Sequence, residues 1–283
     1  MAPVEWKKDW PMIVPPGSIV QDHYPIPLPQ LTKRVSNPYN GHIPFTENFN
    51  ATKNFNGPMR TGSHPAPGSL QLPALDPSLV FLRTPKEKWY DLKERKGFLS
   101  MRLLPQTCSG KDNPAFLGHR QQHAEGSAST ALDFRPAADN EKAGLLVFQN
   151  ETHFYFICRS LSDNKPVVQL FRSANISPAG GTSPGSAETQ MELIAFQQLD
   201  TSLPDKDLRL KIVAKGATYA FYYAVKKDKW LLLKDNVSAE FLSTRTAGGF
   251  VGCMYALYAT SLGQPSQTKA YFDWLTCTGL AAP

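Results

Sequence analysis

The chain has 283 residues, of which 41% are apolar and 19% charged, with a net charge of +6. That is enough apolar material for one large all-β core or two smaller ones, and no run approaches the roughly 18 apolar residues of a membrane-spanning helix. Lysine and arginine are scattered, without a stripe or a nucleic-acid motif, so neither nucleic acid nor membrane is expected as a partner.

Residues 1 to 77 hold fourteen of the 24 prolines. Proline fixes φ and donates no hydrogen bond, so this segment cannot be a central sheet. It reads as an extended arm, and its first residues lack the apolar stretch of a signal peptide. Phe45 to Phe49 then reads as a strand, and Asn54 to Leu75, rich in Gly, Pro and Ser, as a long loop. Three short apolar runs follow between Thr130 and Cys158: Thr130–Phe134, Ala143–Phe148 and Phe154–Cys158. They are rich in Phe, Tyr, Val, Ile and Leu and bounded by Asn, Asp and Pro, which predicts antiparallel strands. Val167–Arg172 is a further strand, Ser173–Gln190 a loop, and Met191–Leu199 a strand again. Leu208–Ile212 alternates apolar and basic residues, so one face is buried and one is wet. Tyr219–Val225 and Trp230–Leu233 flank Lys226–Lys229 as a hairpin, and Gly252–Ala259 and Ala270–Leu275 supply the last strands. Short strands with almost no helical periodicity predict an all-β, two-sheet antiparallel sandwich.

Several ordered motifs carry a resemblance. They are Arg83-Thr84-Pro85, Trp89 with Leu92, Glu94-Arg95 with Gly97 and Leu99, and Arg120-Gln121-Gln122-His123. Thr130 with Leu132-Asp133-Phe134, and Gly144 through Phe148-Gln149-Asn150-Glu151 to His153-Phe154-Tyr155, continue the series. Together they resemble the C-terminal concanavalin A-like sandwich, of jelly-roll type, found in family 43 glycoside hydrolases, the β-xylosidases and α-L-arabinofuranosidases. The resemblance implies a sandwich domain over residues 45–283. It makes residues 1–44 the end of a catalytic propeller and the linker after it. Xylo- or arabino-oligosaccharides would be the sugars, and the propeller the protein partner. The compartment stays open, with secretion preferred; sequons at Asn50, Asn150, Asn175 and Asn236 would matter only there.

Glycoside hydrolysis needs two carboxyl groups flanking the bond. The E-x-D-x-x-E pattern that sandwich-fold glucanases place along one strand is absent. Glu188 and Glu192 lie four apart, but at the edge of a loop, and read as surface residues. The family's own catalytic carboxylates belong to the propeller. The chain alone is therefore expected to hold no catalytic residue, and to act as an accessory domain that packs on the propeller and shapes its pocket. The alternative is a free-standing carbohydrate-binding module for xylan-type polymers.

By resemblance, Gly249-Phe250-Val251 is the loop from which a phenylalanine reaches into the propeller's pocket. Glycines on both sides let the backbone turn and expose the ring; the same ring could equally open a strand and sit in the core. Sugar stacking needs exposed aromatics with polar neighbours, for which Tyr155, Tyr222 and Trp230 are candidates. Arg120 and Gln121 are expected in a buried polar role. His119 and His123 on one strand would lie roughly 13 Å apart, too far to share an ion. No cofactor is expected, apart from a calcium ion that Glu47 and Asp273, on the first and last strands, could hold through oxygen. The four cysteines form no C-x-x-C pair, and three lie in apolar runs as small hydrophobes.

Overall fold

The computed structural model describes residues 4–14, 17–19, 44–50, 75–174, 191–202, 206–227 and 229–279. The loops expected at 54–75 and 173–190 fall almost wholly outside these residues. The chain divides into two units, residues 1–40 and 41–283. The described part of the first is a hairpin, β1 (Glu5–Lys7) and β2 (Trp10–Met12), with Lys7 opposite Trp10. Lys8 and Asp9 between them both have positive φ, 49° and 64°. Two left-handed central residues make the tight turn whose twist suits a hairpin.

The second unit is almost entirely strand. After β3 (Phe45–Glu47) come β4 (Leu79–Phe81), β5 (Tyr90–Asp91), β6 (Leu99–Arg102), β7 (Ala115–Arg120) and β8 (Glu125–Asp133). Then follow β9 (Lys142–Asn150), β10 (His153–Ser162), β11 (Lys165–Ser173) and β12 (Met191–Gln198). The series closes with β13 (Leu208–Lys215), β14 (Thr218–Ala224), β15 (Leu231–Ser238), β16 (Met254–Thr260) and β17 (Lys269–Gly279). A seven-stranded sheet runs β12-β11-β10-β9-β16-β7-β4, and an eight-stranded sheet runs β15-β14-β13-β8-β17-β6-β5, with β3 also on β17. All the paired strands are antiparallel, the two-sheet sandwich that the sequence predicts.

The core between the sheets joins Leu145 and Val147 of β9 and Ile157 of β10 to Leu210 and Ile212 of β13 and Phe272 of β17. Along β13 burial alternates strictly, as its apolar–basic alternation requires. β9 and β10 differ: nearly every residue is buried, whichever way it points. The other side of the seven-stranded sheet carries a second core. Phe116, Leu146, Phe148, Phe154, Phe156 and Tyr258 meet there in edge-on and stacked ring pairs. Over it lies the loop around Cys108, whose backbone N–H donates to the Tyr258 hydroxyl at 3.0 Å. Arg83 fastens this loop through the Asp112 carbonyl, at 2.7 Å, and an ion pair with Glu151.

The Glu94-Arg95 motif ties the eight-stranded sheet together. Glu94 accepts from Ser100 Oγ at 2.7 Å and pairs with Lys269 at 2.8 Å. Arg95 pairs with Asp133 at 2.6 Å and lays its guanidinium over Phe98, 3.6 Å from the ring centre. Nearby, Asp91 accepts from Lys88 Nζ at 2.7 Å and from the N–H groups of Lys93 and Glu94. The Lys88 ammonium first, then the Lys93 N–H, hold its carboxyl down at about 2 against an ordinary 3.8. A carboxyl depressed by folding contributes stability above its unfolded pKa and loses it as pH falls through the folded one. Urea midpoints measured between about pH 4 and pH 2 are therefore expected to fall less steeply in Asp91→Asn than in the parent.

None of the four cysteines is in a disulfide. Burial pushes the Cys158 and Cys277 thiols up to about 12. They pack as small apolar groups and not as thiolates.

Candidate functional site

One end of the sandwich carries a short excursion between β15 and β16. A 3-10 turn, Glu240–Leu242, leads into a single helical turn, α1 (Thr244–Ala247). Ser243 caps α1, its hydroxyl accepting from the Thr246 N–H at 3.4 Å. Leu242 is buried and ties the turn to the core. Phe241 packs on the rings of His153, at 4.8 Å, and Tyr155, at 5.4 Å, with the Arg172 guanidinium 5.6 Å from its ring centre. The Tyr155 hydroxyl donates to the Ser238 carbonyl at 3.0 Å. Burial lowers the His153 pKa below the usual histidine value.

After α1 the backbone passes through Gly248 and Gly249, with φ of 73° and 72°. Side chains with a Cβ rarely adopt that region. Phe250 follows, wholly exposed, with Val251 half exposed. The ring is thus outside the core, which resolves the two placements that its sequence context allowed. Two side-chain amides at the end of β9 hold the loop from beneath. Gln149 Nε2 donates to the Gly248 carbonyl at 2.9 Å, and Asn150 Nδ2 to the Ala247 carbonyl at 3.1 Å. Where the chain re-enters the sheet, the Gln121 N–H donates to the Cys253 carbonyl at 2.9 Å. The Gln121 side chain is itself fixed, accepting from the Tyr219 hydroxyl at 3.0 Å and donating to the His123 carbonyl at 2.9 Å.

The other expected site residues scatter. Tyr155 is a correction: it is only 2% exposed, and burial raises its hydroxyl to about 12. It shares the inward side of β10 with Ile157 and presents no face to a sugar. Tyr222, on β14, and Trp230, just before β15, are half-buried, with Lys211 Nζ 5.2 Å and 4.1 Å from their ring centres. Arg120 is also a correction, being exposed, and Gln121 is only half-buried, though its side chain is hydrogen-bonded at both ends. His119 is buried and stacked on Phe45 at 4.0 Å, and His123 lies past the end of β7. Glu47 is buried and accepts from the Phe49 N–H at 2.9 Å, whereas burial, with Asp133 next, raises the pKa of Asp273. Among the described residues no three His, Cys, Asp or Glu side chains gather as metal ligands. Glu192 is exposed and paired with Arg172 at 2.5 Å, and Glu188 lies outside the described residues. Gln149 and Asn150 were not among the expected functional residues. Their one signal was their place in the Phe-Gln-Asn-Glu motif.

The site presents an exposed apolar ring on a loop tied to β9 by side-chain hydrogen bonds. Comparison with known proteins gives this a setting. The family model for the β-xylosidase C-terminal concanavalin A-like domain matches residues 71–278. A xylosidase/arabinosidase of Butyrivibrio fibrisolvens is 27% identical over 98% of this chain and 45% of its own length. A non-reducing end α-L-arabinofuranosidase of Bacteroides ovatus is 26% identical over 69% of this chain and 34% of its own. Among solved structures, a GH43B protein of the Bacteroides ovatus xyloglucan locus superposes with a TM-score of 0.68 at 23% identity, over 99% of this chain and 46% of that one. The GH43 protein BlXynB of Bacillus licheniformis gives 0.66 at 20%, again over 99% and 46%. The chain spans less than half the length of these proteins.

Proposed function

The chain belongs to the family of β-xylosidase C-terminal concanavalin A-like domains, and from that premise we propose that it is an accessory domain which packs on a family 43 catalytic propeller and shapes its pocket. On this reading residues 1–44 are the end of the catalytic domain and the linker after it. The observation that carries this reading is Phe250, a large apolar ring wholly in solvent on a loop held by at least three hydrogen bonds. An exposed ring gains nothing for this domain's own stability, since apolar side chains stabilise by leaving water. On a facing pocket wall it would close over a sugar ring, as aromatic faces do. The chemistry is glycoside hydrolysis of xylo- or arabino-oligosaccharides, with both carboxyl groups on the propeller.

Sequencing the native transcript upstream of Met1 tests this. An open frame encoding a propeller is expected; a genuine stop and promoter just before Met1 would overturn the reading.

One observation favours a second reading, a carbohydrate-binding module. Tyr222 and Trp230 flank Lys211 on the outer side of the eight-stranded sheet. Retention on insoluble xylan by the chain alone, lost in Trp230→Ala, would establish it.

A further inference from the structure

We propose that Gln149 and Asn150 are positioning residues, whose side-chain amides clamp the last carbonyls of α1 and so set the direction in which Phe250 leaves the domain; the inference rests on the role of Phe250 given above.

The last carbonyls of a helix have no partner within it and need one from outside. α1 is four residues long, too short to hold its own end. The Ala247 and Gly248 carbonyls instead accept from Asn150 and Gln149. These two carbonyls immediately precede and include the first of the left-handed glycines, the hinge on which the Phe250 backbone turns. Two bonds to successive carbonyls fix a peptide plane as well as a point.

Asn150 is itself oriented. Its Oδ1 accepts from the Thr152 N–H and hydroxyl, each at 3.0 Å, and faces His153 Nδ1 at 3.1 Å. That leaves Nδ2 aimed at the loop. His153 in turn packs against Phe241 in a tilted ring pair, so the two ends of the excursion are braced against one cluster.

Gln149 carries a further clue. Its side chain is 4% exposed, yet Oε1 has no donor among the described residues. A buried acceptor left without a donor costs stability. An apolar side chain of similar length would avoid that cost and still fill the space. The fold alone therefore does not call for glutamine at 149, whereas the loop does, because only the amide donates to Gly248.

The test has two arms. On the chain as it stands, amide hydrogen exchange at Thr246, Ala247 and Gly248 is measured in the parent, Gln149→Met and Asn150→Ala, with the Tm of each. Exchange is expected to rise roughly three- to tenfold, the range that one hydrogen bond supports. The Tm of Gln149→Met is expected to stay within about 3 °C of the parent or rise. Unchanged exchange, or a Tm loss large enough to account for faster exchange everywhere, overturns the proposal. In the longer protein that bears the propeller, KM for an aryl xyloside or arabinoside is compared in Gln149→Met, Phe250→Ala and the double variant. Gln149→Met is expected to raise KM on its own and to add nothing in the Phe250→Ala background. If Phe250→Ala raises KM and Gln149→Met does not, the positioning role fails alone. If Phe250→Ala leaves KM unchanged, it is the role of Phe250 that fails.

Discussion

Replacing Phe250 by alanine in a protein that carries a family 43 propeller ahead of residue 1 is expected to lower kcat/KM for short xylo- or arabino-oligosaccharides roughly ten- to a hundredfold. The magnitude follows from the ring's own chemistry. Removing a phenylalanine side chain from water against another surface is worth about 1.5–3 kcal/mol, and each 1.4 kcal/mol is tenfold in rate. A ring that packs on bound sugar acts before the bond breaks as well as during it. The loss should then appear mainly as a higher KM with kcat little changed. Stability should not move, because in this domain Phe250 touches water on all sides. Steady-state kinetics and a thermal melt of the same preparation check both halves. A lower Tm would mean that the ring packs on the protein and not on the substrate. Unaltered kcat/KM would mean that it does not reach the pocket.

The largest loss of stability is expected at Gly144. A Cβ placed there would lie 2.1 Å from the Ile157 carbonyl oxygen and 2.6 Å from the Cys158 Cα. Both atoms are backbone of the neighbouring strand, with Cys158 directly opposite Gly144 in the ladder. Neither can move aside without parting β9 from β10. Overpacking a core typically costs 1–3 kcal/mol and occasionally more, and a clash with backbone belongs at the upper end. Gly144→Ala is expected to lose about 3 kcal/mol or more, a shift of roughly 1 M in the urea midpoint. Gly252→Ala is the control, since nothing lies within 4 Å of the added carbon. Equal midpoints for the two variants would contradict this account of β9.

Sequence pattern showed the sandwich because the strands obey their period. Leu208–Ile212 alternates, and β13 buries one face. The run Ala143–Phe148 does not alternate, and β9 buries both. Period two fails as a guide to exposure in just that case. Tyr155 lies on a strand whose two sides are both covered, so no pattern of neighbours could separate an outward ring from an inward one. At Phe250 the flanking glycines were legible because they are local, though they left an exposed ring and a core ring equally open. Gln149 and Asn150 were not, because their partners lie 99 and 97 residues away. A contact that distant depends on which strand ends share one end of the sandwich. That follows from the order of strands in the sheet, which no single segment encodes.

The second core has a consequence for how the domain comes apart. In most sandwiches a sheet has one soft side, and strands can fray there while the interior holds. Here β9, β10 and β16 bear Leu145, Ile157 and Leu257 on one side and Phe148, Phe156 and Tyr258 on the other. Water admitted to either layer undoes the strands on which the other layer is built. These three strands are therefore a single cooperative unit of unfolding, the last to open. The Phe250 loop hangs from the ends of two of them, so its foundation is lost only when the whole domain is.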